Sequence, residues 1–511
     1  MTNYEPLPLR FKPGIQRDGT RLAAPGNWID GEWTRFHRSL PRKIGGYSVL
    51  TSQADGIQRS FENYMNDGTH YLHMGSNSSI RQMTITDSGS AGAPVTRTPA
   101  ISMSGDELWQ FGTMFDPIIN NAATLIAHPG RNLLDISNDT ASSLYYGPSL
   151  GTSALAELTG LTPVSGGFCV VKPYVTFFGS DGYFGWSGPN KPNEMTVAVG
   201  GGENNITAQK LVAGRSVRGG NGPSGLYWSL DSLIRTSFIG GTPTWAFDTV
   251  AEDISLMSSR AIAGFGDGSF HWMGQNKFFV YANGGVDEVH NTFNSDWVFE
   301  NINTIYRQKC FSFVDQRFGE VWHCFPYGSA TECSHAAIYN VKEQTWYDTP
   351  LPSEGRSGCL PGNLYRYPIM GGATTTSGLS NIWQHETGAN EVRGSTVYPV
   401  RSFIESSDIT LMLGAEPKNK AISCVAVEPD FIQVGEMSLT ITGNANSRSE
   451  AIDAEIINFD PGPAPVAEQL LRPKVERRQM RFRWESNTTD GDFKMGVPVA
   501  YVGVGSGRET G

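Results

Sequence analysis

The sequence predicts an all-β protein: a β-propeller of six to eight blades, with an extended N-terminal arm and a C-terminal β-sandwich. Three observations carry this expectation. Glycine supplies 59 of 511 residues and aromatics 11%, while only 17% are charged, a balance that favours short strands and tight turns over long helices or disorder. The length exceeds the roughly 250–300 residues at which one core splits into several, so at least two domains are expected. Finally, "FGSDGYFGWSGPNK" (178–191) and "FGDGSFHWMGQNK" (265–277) share Asp-Gly, a Phe, a Trp, a Gly and Asn-Lys in one order.

The first 45 residues carry no blade pattern. The run "RFKPGIQRDGTRLAAPGNWIDGEWTRFHRSLPRKIGGY" (10–47) alternates Arg or Lys with rings and breaks at Pro-Gly. Rings and arginines are the usual anchors of interfaces. Residues 1–45 are therefore expected to be an interface arm, with Trp28, Trp33, Arg35, Phe36 and Tyr47 holding it to the body of the protein or to an adjacent subunit. Nucleic-acid contact is the other reading of the same alternation.

Residues 46–398 are assigned to the propeller. Trp186 and Trp272 are 86 residues apart, and Trp228 falls 42 after the first and 44 before the second. A period near 43 matches the roughly 40–50 residues of one four-stranded blade. Asp-Gly supplies a turn needing positive φ, and the alternation of Phe270 and Trp272 with His271 and Met273 sends the largest rings to one face, against the next blade. Segments 69–83, 121–137, 318–350 and 363–388 read as further, degenerate blades.

Residues 399–511 are assigned to the sandwich, from the alternations "MSLTITG" (437–443) and "RQMRFRWES" (478–486) on either side of the proline-rich "FDPGPAPVAEQLL". In the second run Arg478, Met480, Phe482 and Trp484 share one face, and Arg477, Gln479, Arg481 and Arg483 share the other. The cationic face with Arg477, Arg481 and Arg483 is either solvated, or a contact for an acidic partner or neighbouring subunit, or a contact for a DNA backbone. Guanidinium geometry favours carboxylates.

Chemistry-bearing motifs are sparse. Asp181 and Asp267 stand five residues before Trp186 and Trp272, as in the Asp-box turns of sialidase propellers, but glycine follows each Asp directly and the box's Ser and Thr are missing. His323, Cys324, Cys333 and His335 are residue types that zinc accepts; the alternation around the Pro-Tyr-Gly turn instead sets Cys324 and Cys333 face to face, as thiols or a disulfide, with the histidines opposite. There is no G-x-x-x-x-G-K-[ST], H-E-x-x-H or G-x-S-x-G. No catalytic residue, cofactor or metal site is nominated, and the expectation is a protein that is not an enzyme.

A formal charge of −11 and a pI near 5.4 argue against binding nucleic acid by phosphate neutralisation. Six cysteines in this length are too few for a disulfide framework and are expected to be buried thiols. The polar, proline-broken start does not read as a secretion signal, and no run is long and apolar enough to span a membrane.

The ordered runs "RDGTRLAAPGNWIDGEWTRFHRSLPRKIGGY", "GSDGYFGWS", "LYWSLDSLIRTSFIGG", "FHWMGQNKFFVYANGGVDEVHNTFN" and "GEVWHCFP…YNVKEQTWYDTPLP" resemble the tail nozzle, or tail hub, proteins of short-tailed, podovirus-type bacteriophages, from about residue 10 to 350. The resemblance implies a structural virion protein: a propeller subunit assembled as a homo-oligomeric, six-membered ring below the tail adaptor (head-to-tail connector), retaining double-stranded DNA and then conducting it without sequence-specific binding. It also implies assembly in the host cytoplasm, a place in the virion tail, and tail fibres as a further candidate partner. The competing expectation is a glycan-binding or glycoside-hydrolysing propeller acting as a receptor-binding tail protein.

Overall fold

The computed structural model describes residues 4–66, 68–101, 103, 108–117, 122–130, 140–217, 222–241, 244–362, 364–410, 412–413, 416–417, 421–445, 455–461 and 469–505. Six antiparallel four-stranded meanders follow one another along the chain and a seventh, composite sheet completes the series: blades 1 to 7 begin at Ser60, Leu108, Gly167, Leu211, Ile262, Phe311 and Arg356. Their first strands stand side by side around one axis, and blade 7 meets blade 1. The protein is a seven-bladed β-propeller, within the expected six to eight.

Closure uses a strand from far upstream. Blade 7 takes three strands from 356–385, and its fourth strand is Tyr47–Gln53, antiparallel to Leu379–His385 with His385 opposite Tyr47. The hairpin of Asn390–Arg393 and Thr396–Pro399 then extends this blade outward.

The repeat is real, but its register differs from the spacing expected. Trp228 and Trp272 occupy second strands of blades 4 and 5 and meet edge to face at 5.6 Å. Trp186 lies on the third strand of blade 3. Likewise Asp181-Gly182 joins second to third strand, whereas Asp267-Gly268 joins first to second. Both matched segments therefore encode the same local event, a positive-φ turn feeding a ring-bearing strand, at different places in the blade. Asp181 (φ 54°) and Gly182 (φ 64°) supply both left-handed residues of their turn. Successive blades actually start between 44 residues (167 to 211) and 59 residues (108 to 167) apart. Segment 69–83 covers the second and third strands of blade 1, and 318–350 the last three of blade 6; residues 131–137 of the blade 2 segment, and residue 363, lie outside the described residues.

The N-terminal segment is not an extended arm. Glu5–Pro8 pairs with Val499–Val504, Asn27–Glu32 with Ser402–Ser406, and Leu40–Lys43 with Asp492–Met495. Its strands thus complete three sheets of the C-terminal β domain, whose core centres on Leu439, Ile441, Met480, Phe482 and Trp484. Hydrophobic alternation places the rings inside, and only the first 45 residues supply the missing strands. The same core runs on through Trp33, Phe36 and Tyr47 into Phe313, Trp322 and Tyr347 of blade 6 and Trp383 of blade 7.

Removing residues 1–45 is expected to leave the propeller closed, because its closing strand starts at Tyr47, but to open the β domain. Limited proteolysis should cut the truncated chain within 421–505 and spare the full chain; equal protection of both would contradict this pairing.

Candidate functional site

Two places concentrate buried charge: the junction between propeller and β domain, and the propeller axis. At the junction lie four residues read from sequence as interface anchors. Trp28, Trp33, Arg35 and Phe36 are at most 3% exposed within the single chain, so they bind the N-terminal segment to its own body and are closed to another subunit. Trp33 adopts φ 49°, a left-handed conformation costing a bulky residue roughly 1–2 kcal/mol. It is held there by its backbone N–H donating to Thr349 Oγ1 at 2.8 Å, its indole donating to the Gly45 carbonyl at 3.0 Å, and edge contacts with Tyr47 and Trp322. Phe36 packs on Tyr347 at 5.3 Å.

Arg35 is the hub. Its guanidinium lies 2.6 Å from Glu386, 3.0 Å from Glu320 and 3.6 Å from Asp315, over the Phe318 ring at 3.6 Å. Glu320 also accepts from Tyr347 Oη at 2.6 Å and Trp322 Nε1 at 2.9 Å. Burial opposes the Arg35 charge, but Glu320, Glu386 and Asp315 outweigh it and raise its pKa. Burial pushes the Glu320 and Asp315 carboxyls up while Arg35 pulls them down. A second strut is Arg17, which pairs with Asp30 at 2.7 Å and Asp348 of blade 6 at 2.9 Å.

Two arginines of the cationic face, Arg481 and Arg483 on Gln479–Ser486, are neutralised from within. Arg481 pairs with Glu405 at 3.2 Å, Arg483 with Glu485 at 3.1 Å, and Arg483 stacks on Phe403 at 3.6 Å. Arg477 is half-buried, its methylenes filling the space above Gly443. For Arg481 and Arg483 the carboxylates come from this chain, whereas Arg477 donates to the Glu476 carbonyl. Met480, Phe482 and Trp484 face the core, as their alternation requires.

The histidine–cysteine hairpin likewise turns inward. All six cysteines are free thiols. Cys324 stands opposite Ala336, not Cys333, whose thiol donates to the Lys309 carbonyl. His323 bonds Ser312, and His335 stacks on Tyr327 at 4.4 Å. No group of three or more His, Cys, Asp or Glu fit to hold a metal occurs among the described residues.

The axial channel has a volume of about 450 Å³ and is walled by the blades' first strands and the loops leading into them. Arg59 donates both Nη atoms to Glu332 at 2.6 and 2.8 Å, and Lys309 reaches the same carboxylate at 2.8 Å. Arg215 donates to the carbonyls of Gly214 and Ser259, and Arg260 to that of Ser357. Burial, aided by the Arg59 charge, brings Arg260 down to about 10. Burial pushes Glu62 up to about 7, against the pull of Lys172. A cavity of about 450 Å³ falls in the size range of small-ligand sites.

The channel arginines escaped the sequence reading because their partners are remote: Arg59 and Glu332 are 273 positions apart. A lone Arg ahead of an apolar strand is the only local signal.

The fold and its sites define the class: a seven-bladed β-propeller welded to a β domain through buried ion pairs. No family model and no curated protein matches the chain. Among solved structures it is similar to a chain from the crystal structure of BBS1N in complex with ARL6DN, soaked with mercury, with a TM-score of 0.40 and 9% identity over 67% of this chain and 97% of that one. That similarity is too distant to carry a functional argument.

Replacing Arg35 by Ala is expected to cost about 3–5 kcal/mol in chemical denaturation, because it strands buried carboxylates; an effect below about 1 kcal/mol would show that the cluster does not hold the junction. Glu62, whose carboxyl rises from 4.5 to about 7 on folding, binds more protons folded than unfolded. Its contribution is complete below pH 4.5 and lost as pH rises through 7. E62Q should therefore gain on the wild type by about 1–3 kcal/mol across that window, and parallel pH profiles would refute the assignment.

Proposed function

We propose that this chain is the nozzle subunit of a short-tailed phage tail: a structural virion protein, without catalytic activity, assembled in the host cytoplasm into a six-membered ring below the tail adaptor. In this role the ring retains packaged double-stranded DNA and later conducts it outward, with tail fibres as further partners.

The observation that carries the reading is where the nozzle-like runs fall. The run over 17–47 supplies Trp28, Trp33, Arg35, Phe36 and Tyr47, the residues that weld β domain to propeller, and the later runs form blade hairpins. What resembles the nozzle family is thus the framework itself and not a pocket. The axial cavity is the size of a small-ligand site, and the reading sets the duct of the proposed ring between protomers. A chain at −11, repeated around that duct, would repel phosphates and let DNA slide. With Arg481 and Arg483 paired internally, ring contacts are better sought at open sheet edges. The edge strand Phe431–Val434 exposes Ile432 and Val434, and the edge strand Ile456–Phe459 exposes Ile456.

Purified protein, alone or mixed with portal–adaptor complexes, should give hexameric rings in negative-stain images and a matching mass by light scattering. Monomers that never join the adaptor, or that cleave a glycoside panel, would defeat the reading.

A further inference from the structure

Charge in the axial channel does not balance. One carboxylate, Glu332, serves both Arg59 and Lys309. Arg215 and Arg260 have no carboxylate at ion-pair distance among the described residues, and their guanidiniums rest on main-chain carbonyls alone. The acid on the wall itself, Glu62, is raised to about 7 by burial against the pull of Lys172.

Two buried polar atoms on the same wall lack any hydrogen-bond partner: Arg260 Nη1 and Ser60 Oγ, the latter on a residue only 8% exposed. The Arg260 position is built, not accidental. Its guanidinium lies above the Phe311 ring at 5.4 Å and against Gly358, where a Cβ would meet Arg260 Nη2 at 2.8 Å and collide with the Arg59 carbonyl. Desolvated guanidiniums without a counter-charge cost several kcal/mol each. An oxyanion accepting charge-assisted hydrogen bonds from both would offset that cost, and forked donors match its geometry.

We propose that the propeller's axial channel is a binding site for a small oxyanion of the phosphate class, held between Arg215 and Arg260 with Ser60 as a neutral donor. The inference is independent of the nozzle reading, since it concerns the single chain.

The test is calorimetric titration of the full chain with inorganic phosphate at constant ionic strength set by chloride. Saturable one-to-one binding is expected, weakened at least tenfold in the R215Q/R260Q double variant and unchanged in R401Q, which alters an exposed arginine elsewhere. No saturable heat beyond chloride, or binding retained by the double variant, overturns the site. Should the double variant fail to fold, selenate soaked into crystals of the unaltered chain decides: an anomalous peak between Arg215 and Arg260 upholds the proposal, and a peak elsewhere or none overturns it.

Discussion

A guanidinium shut off from water must find its counter-charges inside the protein, and Arg35 finds three, on two different blades. Asp315 and Glu320 belong to blade 6, Glu386 follows the third strand of blade 7, and Arg35 itself sits on a strand of the β domain. Such a cluster is a poor source of net stability, because desolvation consumes most of the attraction. Its effect is positional: any sliding of the β domain over the propeller would leave four buried charges uncompensated. Apolar burial through Trp33, Phe36, Trp322 and Tyr347 supplies the attraction, and Arg35 selects one docking among the many that greasy surfaces would allow. The backbone cooperates. A Cβ at Gly45 would meet Glu386, and one at Gly46 would collide with the Asn390 backbone, so two glycines let the chain pass this crowded point just before Tyr47 enters blade 7.

Ring closure and domain docking are thereby one event. The strand that closes the propeller follows directly from the strands that complete the β domain, and both contact blade 7. Closing a loop of more than 300 residues between Tyr47 and His385 carries a modest entropy penalty that grows only logarithmically with length, and it is offset by six paired positions in the closing strand and by its packing. Inter-blade struts repeat the logic elsewhere. Arg97, next to blade 1, donates to the carbonyls of Pro148, Gly151 and Ser153 in and beside blade 2. Within blade 7, Arg356 ties the first strand to the third and fourth, resting over Tyr47 and Trp383 at 5.1 Å while donating to His385. Rigid connection, repeated at every scale, is the dominant theme of the molecule.

What the sequence disclosed follows from how local each cause is. Alternation of Met480, Phe482 and Trp484 with polar neighbours marks one buried strand face wherever that strand is placed, and Asp181-Gly182 encodes its own turn. The propeller was legible as a class because its first six blades are local meanders. Blade register was not: the 86-residue spacing from Trp186 to Trp272 joins a third strand to a second one, since identical turn chemistry recurs at two points of a blade. Nor was the fate of the N-terminal segment. Trp28, Trp33, Arg35 and Phe36 advertise burial against something, but pairing partners near residues 402–406 and 492–495 leave no trace in the segment itself. Arg481 and Arg483 show the same limit. Their chemistry, a search for carboxylates, was readable; that Glu405 and Glu485 of the same chain answer it was decided by tertiary structure.

The distribution of these charges bears on the exterior. Among the described residues, eight cations are buried (Arg35, Lys43, Arg59, Arg97, Lys210, Lys309, Arg356, Arg481) against five anions (Asp116, Asp315, Glu320, Asp348, Glu354). A chain whose formal charge is −11 therefore shows solvent a surface more acidic than its composition implies, with its positive charge drawn into the junction, the blade struts and the propeller axis. Separation of this kind has opposite consequences at two ranges. Beyond a Debye length of about 8 Å, a polyanion meets the acidic envelope and is kept at a distance. A small anion that enters the channel meets low-dielectric walls and unbalanced guanidiniums, where attraction is far less screened. One folded chain can thus repel a duplex along its outside while offering its interior to a single phosphate-sized ion, and both properties follow from placing arginines where their neighbours are carbonyls and rings instead of water.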